Sequence, residues 1–124
     1  MTSTPREDRA HAALLAERLQ QATAQRDELI AAIDAMRTAR SLTFADDEHD
    51  PEGSTVSLDQ ARDAALLTRT ERSISELTAA QDRLAAGTYG TCERCGRAIP
   101  TERLLARPEA RWCVPCSASS GRQS

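Results

Sequence analysis

The sequence predicts a mainly α protein, a long antiparallel two-helix coiled-coil hairpin followed by a small C-terminal module built on four cysteines. Three observations carry this reading. Apolar side chains recur at alternating three- and four-residue steps in two long segments free of glycine and proline. The four cysteines stand as two Cys-x2-Cys pairs near the C-terminus. Aromatic residues make up only 2% of the 124 residues (Phe44, Tyr89 and Trp112), too few for an ordinary globular core. Alanine, leucine, arginine and glutamate dominate instead, as they do in long helices.

The first helix is expected to start at Thr4-Pro5-Arg6-Glu7. Thr4 can cap it, Pro5 suits the first turn, and Glu7 completes a capping box. Leu15, Leu19, Ala22, Leu29, Ile33 and Met36 then form a heptad seam, with Arg26 as its polar interruption. The second helix is expected to start near Ser57, with Gln60 as its box partner. Its seam is Leu67, Thr70, Ile74, Leu77, Gln81 and Leu84, and Gly87 stops it. Each arm covers roughly 30 residues, or roughly 45 Å at the helical rise. The linker, Thr43 to Thr55, is short, and short connections make consecutive helices antiparallel neighbours whose seams bury each other. A leucine stripe at this spacing argues for packing, not for a ligand site.

The linker holds the acidic concentration of the chain: Asp46, Asp47, Glu48, Asp50 and Glu52. A charge run is most often a solvated turn. Here it also sits at the far end of a stiff rod, with Pro51 and Gly53 able to set its shape. The ligand rhythm of a calcium loop is missing, and His49 lacks the partners a metal site needs.

Cys92 and Cys95 are separated from Cys113 and Cys116 by 17 residues. Two residues between paired cysteines let both sulfurs of a tight turn face one ion, and two such turns complete a tetrahedral S4 site. Gly96 stands where the first turn needs a positive φ. The pattern reads as one structural Zn2+, since four thiolates leave no open position for water. Two disulfides would suit a secreted chain. A redox pair would need an activated, exposed Cys-x2-Cys, usually in a βαβ setting, and no strand-rich segment surrounds either pair. No secretory signal or membrane-spanning run is visible, so a cytoplasmic, non-membrane protein with reduced thiols is expected. Residues 1–87 then form the hairpin, with its tip near 46–53. Residues 88–117 form the zinc finger, and the short polar tail 118–124 is expected to be disordered. The net charge of −3 gives the whole chain no electrostatic drive toward nucleic acid.

The stretch Gly87-Thr88-Tyr89-Gly90-Thr91-Cys92-Glu93-Arg94-Cys95-Gly96 is followed by Ile99-Pro100, Glu102-Arg103-Leu104, Ala106-Arg107-Pro108 and Cys113-Val114-Pro115-Cys116. Together these resemble the zinc-finger region of the DksA/TraR family of bacterial transcription factors. The specific part covers about a quarter of the chain, and the preceding hairpin extends the resemblance. It implies a regulator that binds RNA polymerase rather than promoter DNA, acting as a monomer and not an enzyme. The coiled coil would enter the secondary channel and place acidic tip residues, here Asp46, Asp47, Asp50 and Glu52, near the active centre. It also implies a link to the alarmone ppGpp, for which Arg69 and Arg72 on the second arm could serve. This sequence departs from the family pattern in three places. Glu52 stands where the tip motif D-x-x-D-x-A has alanine, and Glu76 and Ser117 fall where basic groups are expected.

The alternative is a zinc-ribbon adaptor for nucleic acid, whose footprint would be Arg94, Arg97, Arg103, Arg107 and Arg111. Against it stand the lack of an aromatic stacking platform and of domain-wide basic charge.

Overall fold

The computed structural model describes residues 4–46 and 53–123, with side chains placed for residues 4–42 and 58–119. Among these described residues four helices follow in order: α1 (Pro5–Asp46), α2 (Gly53–Ala86), α3 (Thr101–Ala106) and α4 (Val114–Gln123). Among the described residues the one extended pairing is an isolated antiparallel bridge between Thr91 and Ala98. No helix among them is long and apolar enough to cross a membrane. The chain divides into two compact units, Met1–Gln20 with Ser73–Ser124, and Gln21–Arg72.

α1 starts as its sequence dictates. The Thr4 backbone N–H donates to Glu7 Oε2 at 3.1 Å, and the Glu7 N–H donates to Thr4 Oγ1 at 3.2 Å. This reciprocal box satisfies two N–H groups that the first turn would otherwise leave unpaired. α2 ends as cleanly. Gly87 has φ +82°, its N–H donates to the Leu84 carbonyl (3.3 Å), and the Thr88 N–H donates to the Arg83 carbonyl (2.9 Å). That pair of bonds is the Schellman closure, and it requires a left-handed residue at Gly87.

Both seams lie where the heptads put them. In the first unit Leu15 is fully buried and Leu77 nearly so; Ala80, which the heptad reading left out, is fully buried beside the half-buried Gln81. In the second, Leu29, Ile33 and Met36 of α1 and Leu67 of α2 are half-buried, as expected where only two helices flank each side chain. Thr70 is buried within its seam because its hydroxyl donates to the Leu66 carbonyl at 2.8 Å, so no polar group is left unpaired. Arg26, the polar interruption, is half-buried beside Asp27 at 3.2 Å.

Three expectations change. α1 runs on to Asp46, because no glycine or proline interrupts it before Pro51. α2 begins at Gly53, four residues before the expected Ser57, and this shortens the linker. The tail expected to be disordered is helical through Gln123. Pro115 lies in the first turn of α4, where its fixed φ suits a helix start, and the Ser117 N–H donates to the Cys113 carbonyl at 2.9 Å. Tethering at Cys113 and Cys116 nucleates a helix that the polar composition alone did not suggest.

A Cβ at position 87 would meet nothing within 4 Å, so Gly87→Ala tests the backbone alone. Chemical denaturation should show a loss of about 1–2 kcal/mol from forcing alanine into the left-handed region. Unchanged stability would mean that the C-terminus of α2 is not held by this motif.

Candidate metal centre

The first cysteine pair sits on a tight hairpin. The Cys92 N–H donates to the Arg97 carbonyl (2.8 Å), the Gly96 N–H to the Cys92 carbonyl (2.9 Å), and the Ile99 N–H to the Gly90 carbonyl (2.8 Å). Gly96 has φ +76°, as the spacing anticipated. The second pair straddles the start of α4, with Cys113 just before it and Cys116 in its first turn. The Glu93 N–H donates to the Arg111 carbonyl (3.0 Å) and joins the two halves. Arg103 Nε donates to the Trp112 carbonyl (2.9 Å), which fixes the approach to Cys113 from α3.

This backbone brings the ligand atoms of Cys92, Cys95, Cys113 and Cys116 within 4.8 Å of one another. Cys95 Sγ and Cys113 Sγ are 3.7 Å apart. Zn–S bonds of about 2.3 Å in a tetrahedron put sulfurs roughly 3.8 Å apart, so the four positions fit zinc. Burial opposes ionisation of Cys92, but the backbone N–H groups of Cys95, Cys113 and Arg94 and the Cys95 thiol outweigh it and lower its pKa to about 6. The Cys113 thiol first, then burial and the thiols of Cys92 and Cys95, push Cys116 up to about 12. Four sulfurs this close cannot all be thiolates without a cation among them, and a divalent metal supplies that charge.

Residues 87–120 match the family model of the prokaryotic dksA/traR C4-type zinc finger. The chain carries a DksA/TraR-type zinc finger. It is similar to an uncharacterized protein of Aquifex aeolicus (strain VF5), 43% identical over 51 residues, covering 41% of this chain and 35% of that protein. It is also similar to general stress protein 16O of Bacillus subtilis (strain 168), 35% identical over 72 residues, covering 58% of this chain and 44% of that protein. The matches thus span less than half the length of these relatives. A solved structure, that of transcription factor DksA2 from Pseudomonas aeruginosa, superposes with a TM-score of 0.76 over 97% of this chain and 87% of its own. At 21% identity it shows a shared fold. The resemblance drawn from the cysteine motifs therefore stands, and the finger holds one structural Zn2+.

The finger is clasped to the helices of its own unit by residues that spacing alone did not single out. The Tyr89 ring lies 5.0 Å from His11 of α1, and its hydroxyl donates to the carbonyl of the fully buried Pro108 at 2.9 Å. Arg83 of α2 donates to the Glu109 carbonyl (3.4 Å) and lies 3.9 Å from Glu93. The only hint was that the chain's single tyrosine falls three residues before Cys92.

The other expected site residues fall elsewhere. Asp46 ends α1, while Asp47, Asp50 and Glu52, with His49, lie outside the described residues. Arg69 and Arg72 are exposed on α2.

Burial raises Tyr89 to about 12, with Arg83 opposing and Glu109 adding to the shift. The native state keeps the phenol proton to higher pH than the unfolded chain, which releases it near pH 10. The stabilisation is therefore complete below pH 10 and declines as pH rises toward 12. Since Tyr89 is the single tyrosine, phenolate absorbance should titrate near 12 in the native protein and near 10 in denaturant. A native midpoint near 10 would contradict the buried clasp.

Proposed function

We propose that this chain is a transcription regulator that binds RNA polymerase through the secondary channel and places the acidic hairpin tip near the active centre. One observation carries the reading. A DksA/TraR-type finger is joined to a helical chain that shares the fold of a transcription factor over 97% of its length. The tip carboxylates Asp46, Asp47, Asp50 and Glu52 supply the charge such a role needs. Carboxylates brought beside a metal-containing catalytic centre compete for cation-binding groups and repel phosphate. No step of that action requires catalysis by this chain.

Leu42 is 66% exposed and Leu58 is 72% exposed in the second unit. Exposed leucines beside a charged connection suit a surface that a protein partner covers. Arg69 and Arg72, exposed on α2, offer guanidinium groups to the anionic alarmone ppGpp or to acidic polymerase side chains. Glu76 and Ser117 provide no positive charge to support the alarmone. Polymerase binding is therefore the main function, and Glu76 and Ser117 weigh against the alarmone as a partner. A monomer in the cytoplasm fits this role.

The nucleic-acid adaptor reading is weaker because two of the five finger arginines already act within the finger. Arg103 holds the Trp112 carbonyl, and Arg111 lies over the Trp112 ring (4.9 Å) and beside Glu93 (3.9 Å).

The test is capture of core RNA polymerase by the protein, followed by transcription in vitro with and without ppGpp. Asp47→Asn with Asp50→Asn should keep polymerase capture within about twofold and remove the effect on initiation. A double variant that regulates normally contradicts the role of the tip. Failure of the parent protein to bind polymerase, with a salt-dependent shift of bare DNA, would favour the adaptor.

A further inference from the structure

The four ligands of the metal centre are not held alike. Cys92 is only 1% exposed. Its N–H and its carbonyl are both bonded across the first turn, to the Arg97 carbonyl (2.8 Å) and the Gly96 N–H (2.9 Å). Its sulfur faces the backbone N–H groups of Cys95, Cys113 and Arg94. Cys113 and Cys116 are half-buried and fixed by α4. The Cys113 carbonyl accepts the Ser117 N–H (2.9 Å), and the carbonyl just before it, that of Trp112, is taken by Arg103 Nε (2.9 Å). Cys95 differs on each count. It is the one exposed cysteine of the four. Among the described residues no backbone–backbone hydrogen bond ties it down. The neighbouring Gly96 opens on space, since a Cβ there would meet nothing within 4 Å.

These differences set the cost of releasing each sulfur. Cys92, once off the metal, would remain as an uncompensated group in a buried setting. Withdrawing Cys113 or Cys116 would loosen the first turn of α4, whose poor helix formers depend on that anchor. Cys95 alone can swing into water, where its thiolate is solvated. The exposed turn from Glu93 to Gly96 is its hinge.

We propose that Cys95 is the exchangeable ligand of the centre, so that zinc enters and leaves on its side and passes to or from a soft donor, a second thiolate. In that exchange the incoming thiolate forms a bond to the metal as the bond to Cys95 Sγ breaks. The released sulfur takes a proton from water, and no electrons change hands. Cys92 is the anchor, the last ligand to let go. The proposal concerns the metal centre and does not depend on the polymerase reading.

The experiment uses the full-length zinc-loaded protein, pulsed with N-ethylmaleimide and mapped by mass spectrometry. Trypsin cuts after Arg94 and Arg97, which separates Cys95 from Cys92 and from the peptide carrying Cys113 and Cys116. Cys95 should be labelled about tenfold faster than any of the other three. Labelling of all four at one rate overturns the proposal. So does earlier labelling of Cys92 or of the peptide with Cys113 and Cys116. Two variants give a second reading, the release of zinc to the chromogenic chelator 4-(2-pyridylazo)resorcinol. Cys95→Ser, which removes the ligand that is held least, should release zinc about tenfold more slowly than Cys92→Ser, which removes the anchor. Equal release, or slower release from Cys92→Ser, contradicts the assignment. Should Cys92→Ser fail to fold, the labelling order in the wild type decides.

Discussion

Four sulfurs held within 4.8 Å of one another are the constraint on which the first unit depends. The module around them has few apolar residues to bury: Tyr89, Ile99, Leu104 and Pro108 make up nearly all of its core. A segment of this size gains too little from burial to order itself, and metal–thiolate bonding makes up the difference. From the metal outward the logic is continuous. Zinc sets the two cysteine turns, the turns set the path from Gly90 to Ile99 and the start of α4, and that path presents Tyr89 and Glu93 to the helices. Tyr89 between His11 and Pro108, and Arg83 between Glu93 and Glu109, then carry the constraint into α1 and α2 of the same unit.

The second unit is built on a different balance. Two helices alone bury most of the seam residues only partly, so these side chains contribute less each than those of a packed core. Thr70 is tolerated there because its own helix satisfies its hydroxyl. One unit is thus ordered by a metal, the other by seam geometry.

Much of this was legible in the residues. Thr4, Pro5 and Glu7 announced the start of α1, Gly87 the end of α2, and the three-four alternation both seams, because each signal is local and has one physical meaning. The cysteine spacing was equally direct, since a tetrahedral S4 site constrains spacing tightly. The clasp was not legible. A tyrosine reads the same in sequence whether it packs on solvent or between a histidine and a proline carbonyl from distant segments. The helical tail was missed for a related reason: the propensity of Ser117 to Gln123 is poor, and the anchoring of its first turn at the metal site overrides it. The early start of α2 shows the weakness of reading a boundary from capping residues alone, where Ser54, Thr55 and Ser57 compete.

The central claim is that zinc orders the base of the hairpin and not merely the finger. Amide hydrogen exchange with and without a zinc chelator tests it most directly. The account predicts that removing zinc abolishes protection in residues 88–117 and also weakens it in the segments of α1 and α2 that share that unit, residues 5–20 and 73–86. Protection lost in the finger but unchanged in those helical segments would contradict it, and would make the finger an independent appendage.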